Sequence, residues 1–199
     1  IVGRSTGERG NLAVRGMKPG DYLDHFIYEA SIDGLIVKGS NVVEMRTQGQ
    51  LYETPNLGHP IIITGRFAVQ EGDGRPRLVA EPGSIDGAGW QRRGYPFFSG
   101  VGIYRQSVKL TPAQRNCRLF LEMDRPGDLC EVLVNGRSCG ARAWEPWSVE
   151  ITDFIGGPTN EVEIRVANSL QNLLVHAPKP SGVLGRVRIV PRKQVTFTL

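Results

Sequence analysis

The 199 residues are 40% hydrophobic and carry a formal charge of +4, a globular composition that argues against a disordered chain, with enough length for one sizeable core or one domain plus part of another. The basic residues are scattered, with Arg92-Arg93 the longest run, and no Cys/His finger, basic helix or aromatic RNA-binding motif accompanies them, so nucleic acid is not an expected partner. No apolar run approaches the roughly 20 residues of a helical membrane span, so a membrane is not expected either.

The first ten residues, IVGRSTGERG, are polar and Gly-rich rather than a signal peptide, and the chain is expected to be a fragment of a longer protein. Gly (25) and Pro (13) are abundant, which suits many short strands joined by turns. Residues 1–56 are expected to be the C-terminal remnant of a preceding β-domain. Within them, residues 32–46 (IDGLIVKGSNVVEMR) align without a gap to residues 151–165 (ITDFIGGPTNEVEIR), offset by 119 positions. Each copy has a short apolar half-turn, a Gly- or Pro-containing bend, an Asn and then an alternating strand. Asn41 and Asn160 should therefore hold equivalent turn-to-strand positions, because Asn tolerates left-handed backbone and bonds neighbouring amides.

Residues 57–199 read as one all-β domain. Strands are expected near 60–69 and 77–80, with residues 71–75 (EGDGR) as the hairpin loop between them. After the polar segment GAGWQRRG, period-two alternation places Tyr104, Gln106, Val108 and Leu110 on one face. It then places Cys117, Leu119, Leu121 and Met123 on one face, and Val162, Ile164 and Val166 on another, with Glu161, Glu163 and Arg165 towards water. Further strands are expected at 130–134, 146–151, 184–190 and 194–199. Asn135-Gly136 is a hairpin signal, since both central positions of a type I′ turn need positive φ. Residues 126–128 and 156–158 are turns. Eight to ten short strands of this kind make an antiparallel sandwich or jelly roll.

Cys117, Cys130 and Cys139 lack metal-type spacing, and a Cys130–Cys139 disulfide is compatible with the sequence but not required by it. His25, His59 and His176 lie far apart, so no metal site and no cofactor are expected. Hydrolysis of a glycosidic bond needs two carboxylates about 5–9.5 Å apart. The available acids are Asp124, Asp128, Glu131, Glu145 and Asp153. Glu145, inside AWEPW, is the most suggestive, but no catalytic residue is assigned. Sugar binding needs flat aromatic faces and planar hydrogen-bonding groups. Trp90, Tyr95, Phe97, Phe98, Trp144 and Trp147 offer the faces, and Arg92, Arg93, Asn168 and Asn172 the polar groups. Phe97 and Trp147, beside prolines, are expected in the core or a domain interface. Trp90, in a loop without alternation, is the better ligand candidate. The candidate ligand-binding set is Trp90, Arg92, Arg93, Tyr95, Trp144, Glu145 and Trp147.

Four segments occur in a telling order: GYPFFSGVGIYRQSVKL (94–110), VLVNGRSCGARAWEPWSVEITDFI (132–155), NEVEIRVANSLQNLL (160–174) and PSGVLGRVRIV (180–190). Together they resemble the galactose-binding-like jelly roll of glycoside hydrolases, the shape of the family 2 sugar-binding domain, and are most similar to the C-terminal sandwich of α-L-rhamnosidase-type enzymes. The resemblance implies a non-catalytic accessory domain whose partners are an oligo- or polysaccharide, the catalytic domain of the same parent chain, or both. A catalytic barrel of about 250 residues does not fit beside it. A purely structural brace and a catalytic fragment using Glu145 are the alternatives. The compartment is left open, with a secreted or periplasmic parent fitting the resemblance.

Overall fold

A computed structural model describes residues 2–5, 11–13, 18–19, 28–29, 31–44, 62–71, 74–85, 89–174, 178–193 and 195. By internal contacts the chain divides into two compact units, residues 1–63 and 64–199. In the first, β1 (Val2–Ser5) pairs antiparallel with both β2 (Asn11–Ala13) and β5 (Asn41–Glu44), giving the order β2-β1-β5. β3 (Lys18–Pro19) and β4 (Tyr28–Glu29) form a separate antiparallel pair.

The second unit begins with the hairpin of β6 (Ala68–Gln70) and β7 (Arg77–Val79). The strand expected across 60–69 is thus shorter than expected: Ile62 and Ile63 are exposed and outside any strand. Seven strands follow: β8 (Val101–Lys109), β9 (Arg118–Arg125), β10 (Leu129–Val134), β11 (Arg137–Arg142), β12 (Ser148–Glu150), β13 (Thr159–Ala167) and β14 (Leu184–Arg192). They build two antiparallel sheets, ordered β11-β10-β13-β8 and β12-β9-β14. The chain passes between the sheets after β8, β9, β11, β12 and β13, so the inner residues of both form one core. This is an all-β sandwich. The strand expected at 194–199 lies, apart from Val195, outside the described residues.

Period-two alternation decides what is inside. Leu119, Leu121 and Met123 of β9 and Val149 of β12 meet Cys130, Val132 and Val134 of β10 and Val162, Ile164 and Val166 of β13. All three cysteines are free thiols, Cys130 buried and the others half-buried. The outer faces are laced with ion pairs. Glu163 accepts from Arg105 Nε (2.6 Å) and Arg165 Nε (2.7 Å), so it is more than a plain solvent-facing residue. Hydrogen bonds from Arg105 first and Arg165 second hold its carboxyl below the usual range. On the other sheet Arg192 pairs with Glu122 (2.5 Å), Arg188 with Asp124 (2.6 Å), and the Arg192 guanidinium lies 4.3 Å from the Phe120 ring centroid.

The internal repeat holds in three dimensions. Asn160 Oδ1 accepts from Gly156 N (2.9 Å) and its Nδ2 donates to Gly157 O (2.8 Å). Asn41 Oδ1 accepts from Val37 N (2.9 Å), the position equivalent to Gly156, and its Nδ2 donates to Val37 O (2.8 Å). The preceding half-turns match as well, with Leu35 N donating to Ile32 O (3.0 Å) and Phe154 N to Ile151 O (3.1 Å). Both following strands pair antiparallel, and the order β2-β1-β5 parallels β11-β10-β13. The copies differ in burial: Val162 is 6% exposed and its counterpart Val43 45%. In the buried copy, Asn135 joins in at the hairpin tip, where φ is +51° at Asn135 and +77° at Gly136. Its Nδ2 donates to Asn160 Oδ1 (2.9 Å) and Phe154 O (2.9 Å), and its Oδ1 accepts from Glu161 N (3.0 Å).

Two stability outcomes follow, both measurable by chemical denaturation. Ile164→Ala is expected to cost about 2–5 kcal/mol, as other buried large-to-small changes do. Asn160→Ala strands several buried polar groups and is expected to cost about 1–3 kcal/mol or more, whereas Asn41→Ala, in the exposed copy, costs under about 1 kcal/mol. Equal losses for the two asparagines would show that burial does not set the value of this turn.

Candidate functional site

Strand register places the candidate residues. Val101 lies opposite Ala167, which lies opposite Leu129; Arg142 lies opposite Cys130. In the second sheet Leu184 lies opposite Arg125, and Ser148 opposite Glu122. Loops 89–100, 126–128, 143–147 and 168–183 therefore leave the same end of the sandwich. All seven candidate ligand-binding residues sit in these loops.

The first group behaves differently from what local sequence suggests. Trp90, expected in an open polar loop, is 3% exposed and belongs to the core. The physical cause is Gly102 on β8: a Cβ there would fall 2.0 Å from the indole, so the glycine opens a slot that the ring fills. Phe98 meets the indole edge-on at 5.6 Å. The backbone wraps the ring, with Trp90 N donating to Ser181 O (3.2 Å) and Trp90 O accepting from Arg93 N (2.9 Å) and Tyr95 N (3.1 Å). Trp90 offers no free face for a sugar. Arg92 and Arg93 are exposed beside it. Tyr95 is half-buried and its hydroxyl donates to Glu81 Oε1 (3.3 Å); burial, with Glu81 adding to it, pushes the hydroxyl above its usual value.

Asn168 and Asn172, weighed as hydroxyl ligands, are also spent on the fold. Asn168 Nδ2 donates to Phe98 O (2.8 Å) and Ser181 Oγ (3.1 Å), while its Oδ1 accepts from Gly100 N (2.9 Å). Asn172 Nδ2 donates to Lys179 O (3.0 Å) and Ser181 Oγ (2.9 Å), and its Oδ1 accepts from Lys179 N (2.8 Å). Irregular backbone at this end cannot use a strand ladder, so side-chain amides satisfy it instead. Three of the four segments that carry the family resemblance meet in this knot. No short sequence pattern reveals it, because Phe98 and Gly100 come from another loop and Lys179 and Ser181 from the far part of the same one.

The second group is open. Trp144 is 75% exposed, and Glu145 and Pro146 are exposed beside it. The loop is pinned at its base: Met123 N donates to Trp147 O (2.9 Å), Ser148 N to Pro146 O (2.8 Å) and Arg142 Nε to Ser148 O (3.1 Å). Trp147 is half-buried against the core, as its proline neighbour led us to expect. Phe97, expected in the core or an interface, is not in the core but exposed, as is Phe98. Among the acids, Asp124 pairs with Arg188, Glu131 accepts from Ser138 Oγ (2.7 Å), and Asp128 accepts from Ser169 N (2.7 Å). Glu145 alone projects from this loop. Among the described residues no group of three or more His, Cys, Asp or Glu could hold a metal ion.

No family model and no curated protein matches the chain. Solved structures that resemble it include a rhamnosidase from Novosphingobium sp. (TM-score 0.44, 23% identity, covering 74% of this chain and 16% of that one). Others are a β-glucuronidase from Bacteroides uniformis (TM-score 0.39, 22% identity, covering 46% and 12%) and a glycosyl hydrolase family 2 member from Bacteroides cellulosilyticus (TM-score 0.42, 17% identity, covering 67% and 19%). The matched region is under a fifth of each of those chains.

Trp90→Ala is expected to cost about 3–5 kcal/mol in chemical denaturation, the range for buried aromatic truncations. Gly102→Ala, which closes the slot, is expected to cost about 1–3 kcal/mol. An unchanged midpoint in either variant would contradict the slot.

Proposed function

We propose that the sandwich is a non-catalytic, carbohydrate-associated domain of a larger glycoside hydrolase, α-L-rhamnosidase-like in its parent, and that it meets saccharide through the Trp144 loop. The observation that carries this reading is an indole 75% exposed in a loop whose base is tied to β9 through Trp147 O and closed by Arg142 on Ser148 O. A flat, apolar ring held in water at one rim of a rigid sandwich suits the C–H face of a pyranose, and Glu145 beside it supplies an acceptor for hydroxyls. The four ordered segments of the family resemblance support the accessory role. Asp124 and Glu131 sit in ion pairs and Asp128 in a turn, which disfavours a catalytic fragment built on Glu145.

A second reading is a brace that contacts the parent's catalytic domain. Phe97, Phe98, Val101 and Leu129 are all exposed at the same end of the sandwich, and such apolar side chains suit a protein partner.

Trp144→Ala separates the readings. In the sugar-contact reading it weakens binding of rhamnose-containing oligosaccharides by about tenfold or more while shifting unfolding by less than about 0.5 kcal/mol. Calorimetric titration and denaturation measure the two effects. A wild-type chain that binds no oligosaccharide but holds the parent's catalytic domain would replace the sugar-contact reading with the brace.

A further inference from the structure

At the end of the sandwich opposite the Trp144 loop, a cavity of about 580 Å³ is lined by Arg115, Asn116, Arg118, Thr152 and Lys193, among others. Four elements place these groups. The helical turn α1 (Pro112–Arg115) is held by a reciprocal cap, with Thr111 Oγ1 accepting from Gln114 N (3.3 Å) and Gln114 Oε1 from Thr111 N (2.9 Å), and it carries Arg115. β9 opens with Arg118, opposite Arg192 of β14, and Lys193 follows directly. Thr152 comes from the turn after β12.

The wall holds three cations and no carboxylate. Glu150 answers Arg118 from outside the wall, binding its Nε (2.8 Å) and Nη2. Thr152 Oγ1 is spent on Leu119 N (2.9 Å) and Glu150 Oε1 (3.0 Å). Arg115 and Lys193 have no ion pair among the described residues. Asp153, beside Thr152, adds a second negative charge acting on Arg118, so Arg115 and Lys193 are the cations left for an anion to meet. The volume falls within the range of roughly 300–1,000 Å³ typical of small-ligand sites.

We propose that this cavity is an anionic subsite that takes a carboxylate-bearing saccharide, a uronate. The Arg115 fork matches a carboxylate in two parallel hydrogen bonds, Lys193 adds a point charge, and the Asn116 amide serves a neighbouring hydroxyl. The choice of a saccharide rests on the carbohydrate-associated reading; the preference for an anion rests on the cavity alone.

The test is calorimetric titration of the 199-residue chain with tetragalacturonate and with neutral tetragalactose, at low and high salt. Tetragalacturonate is expected to bind more tightly, and salt to weaken it. The double variant R115Q/K193Q is expected to lose about tenfold or more of that affinity with its thermal midpoint unchanged. Equal affinity for the two sugars, or an unaltered double variant, overturns the subsite. An oligonucleotide of matched charge binding as tightly as tetragalacturonate overturns the saccharide assignment. Acidic binding that persists through Arg115 and Lys193 while no Trp144-dependent binding is found supports the subsite and removes the rim reading.

Discussion

Asn160 and Asn172 lie at opposite ends of the sandwich, each 1% exposed, and each answers backbone groups that no strand could reach. A two-sheet sandwich hides its ladders well, but its ends are irregular chain over an apolar core. Buried N–H and C=O groups there must find partners or cost stability. At one end Asn160 and Asn135 bond each other and the turns around them. At the other, Asn168 and Asn172 converge on Ser181, and this knot sits over the indole of Trp90. These closures satisfy the irregular chain at both ends of the core.

Charge is distributed to match. Both outer faces carry paired residues: Arg118, Arg188 and Arg192 each have an acidic partner. Unspent chemistry collects at the ends: an open indole with Glu145 at one, and Arg115 with Lys193 at the other. Rigid strands with functional loops at their tips are a common division of labour in β folds.

Much of this was legible in the sequence where the controlling contacts are local. Alternation named the buried faces of β9 and β13, Asn135-Gly136 named its turn, and the repeat placed Asn41 and Asn160 in matching roles. Trp90 was misjudged because its neighbours Gly89, Gln91 and Arg92 look solvated, whereas its burial depends on a missing side chain at Gly102 on another element. Asn168 and Asn172 looked like ligands for the same reason: their partners Phe98, Lys179 and Ser181 belong to other loops or lie across a turn. The cap of α1 was readable in Thr111 and Gln114, but a four-residue helix leaves no periodicity to prompt the search. Trp144 was legible as an aromatic but not as an exposed one, since exposure is decided by what packs above it.

The doubled asparagine turn has a consequence for the order in which the chain can organise itself. Its bonds span at most four residues at Asn160 and at Asn41 alike, and the Asn135 tie to Glu161 spans 26. By contrast the Arg105–Glu163 contact closes 58 residues and the Glu122–Arg192 contact 70. Loop-closure entropy grows with each span, so the stretch from β10 to β13 is the least expensive part of the sandwich to assemble and the docking of β8 and β14 the most. The 32–44 copy keeps the inexpensive local half of that wiring while its strand face stays in water. The same local wiring thus accompanies exposed valines in one copy, Val42 and Val43, and a buried strand in the other.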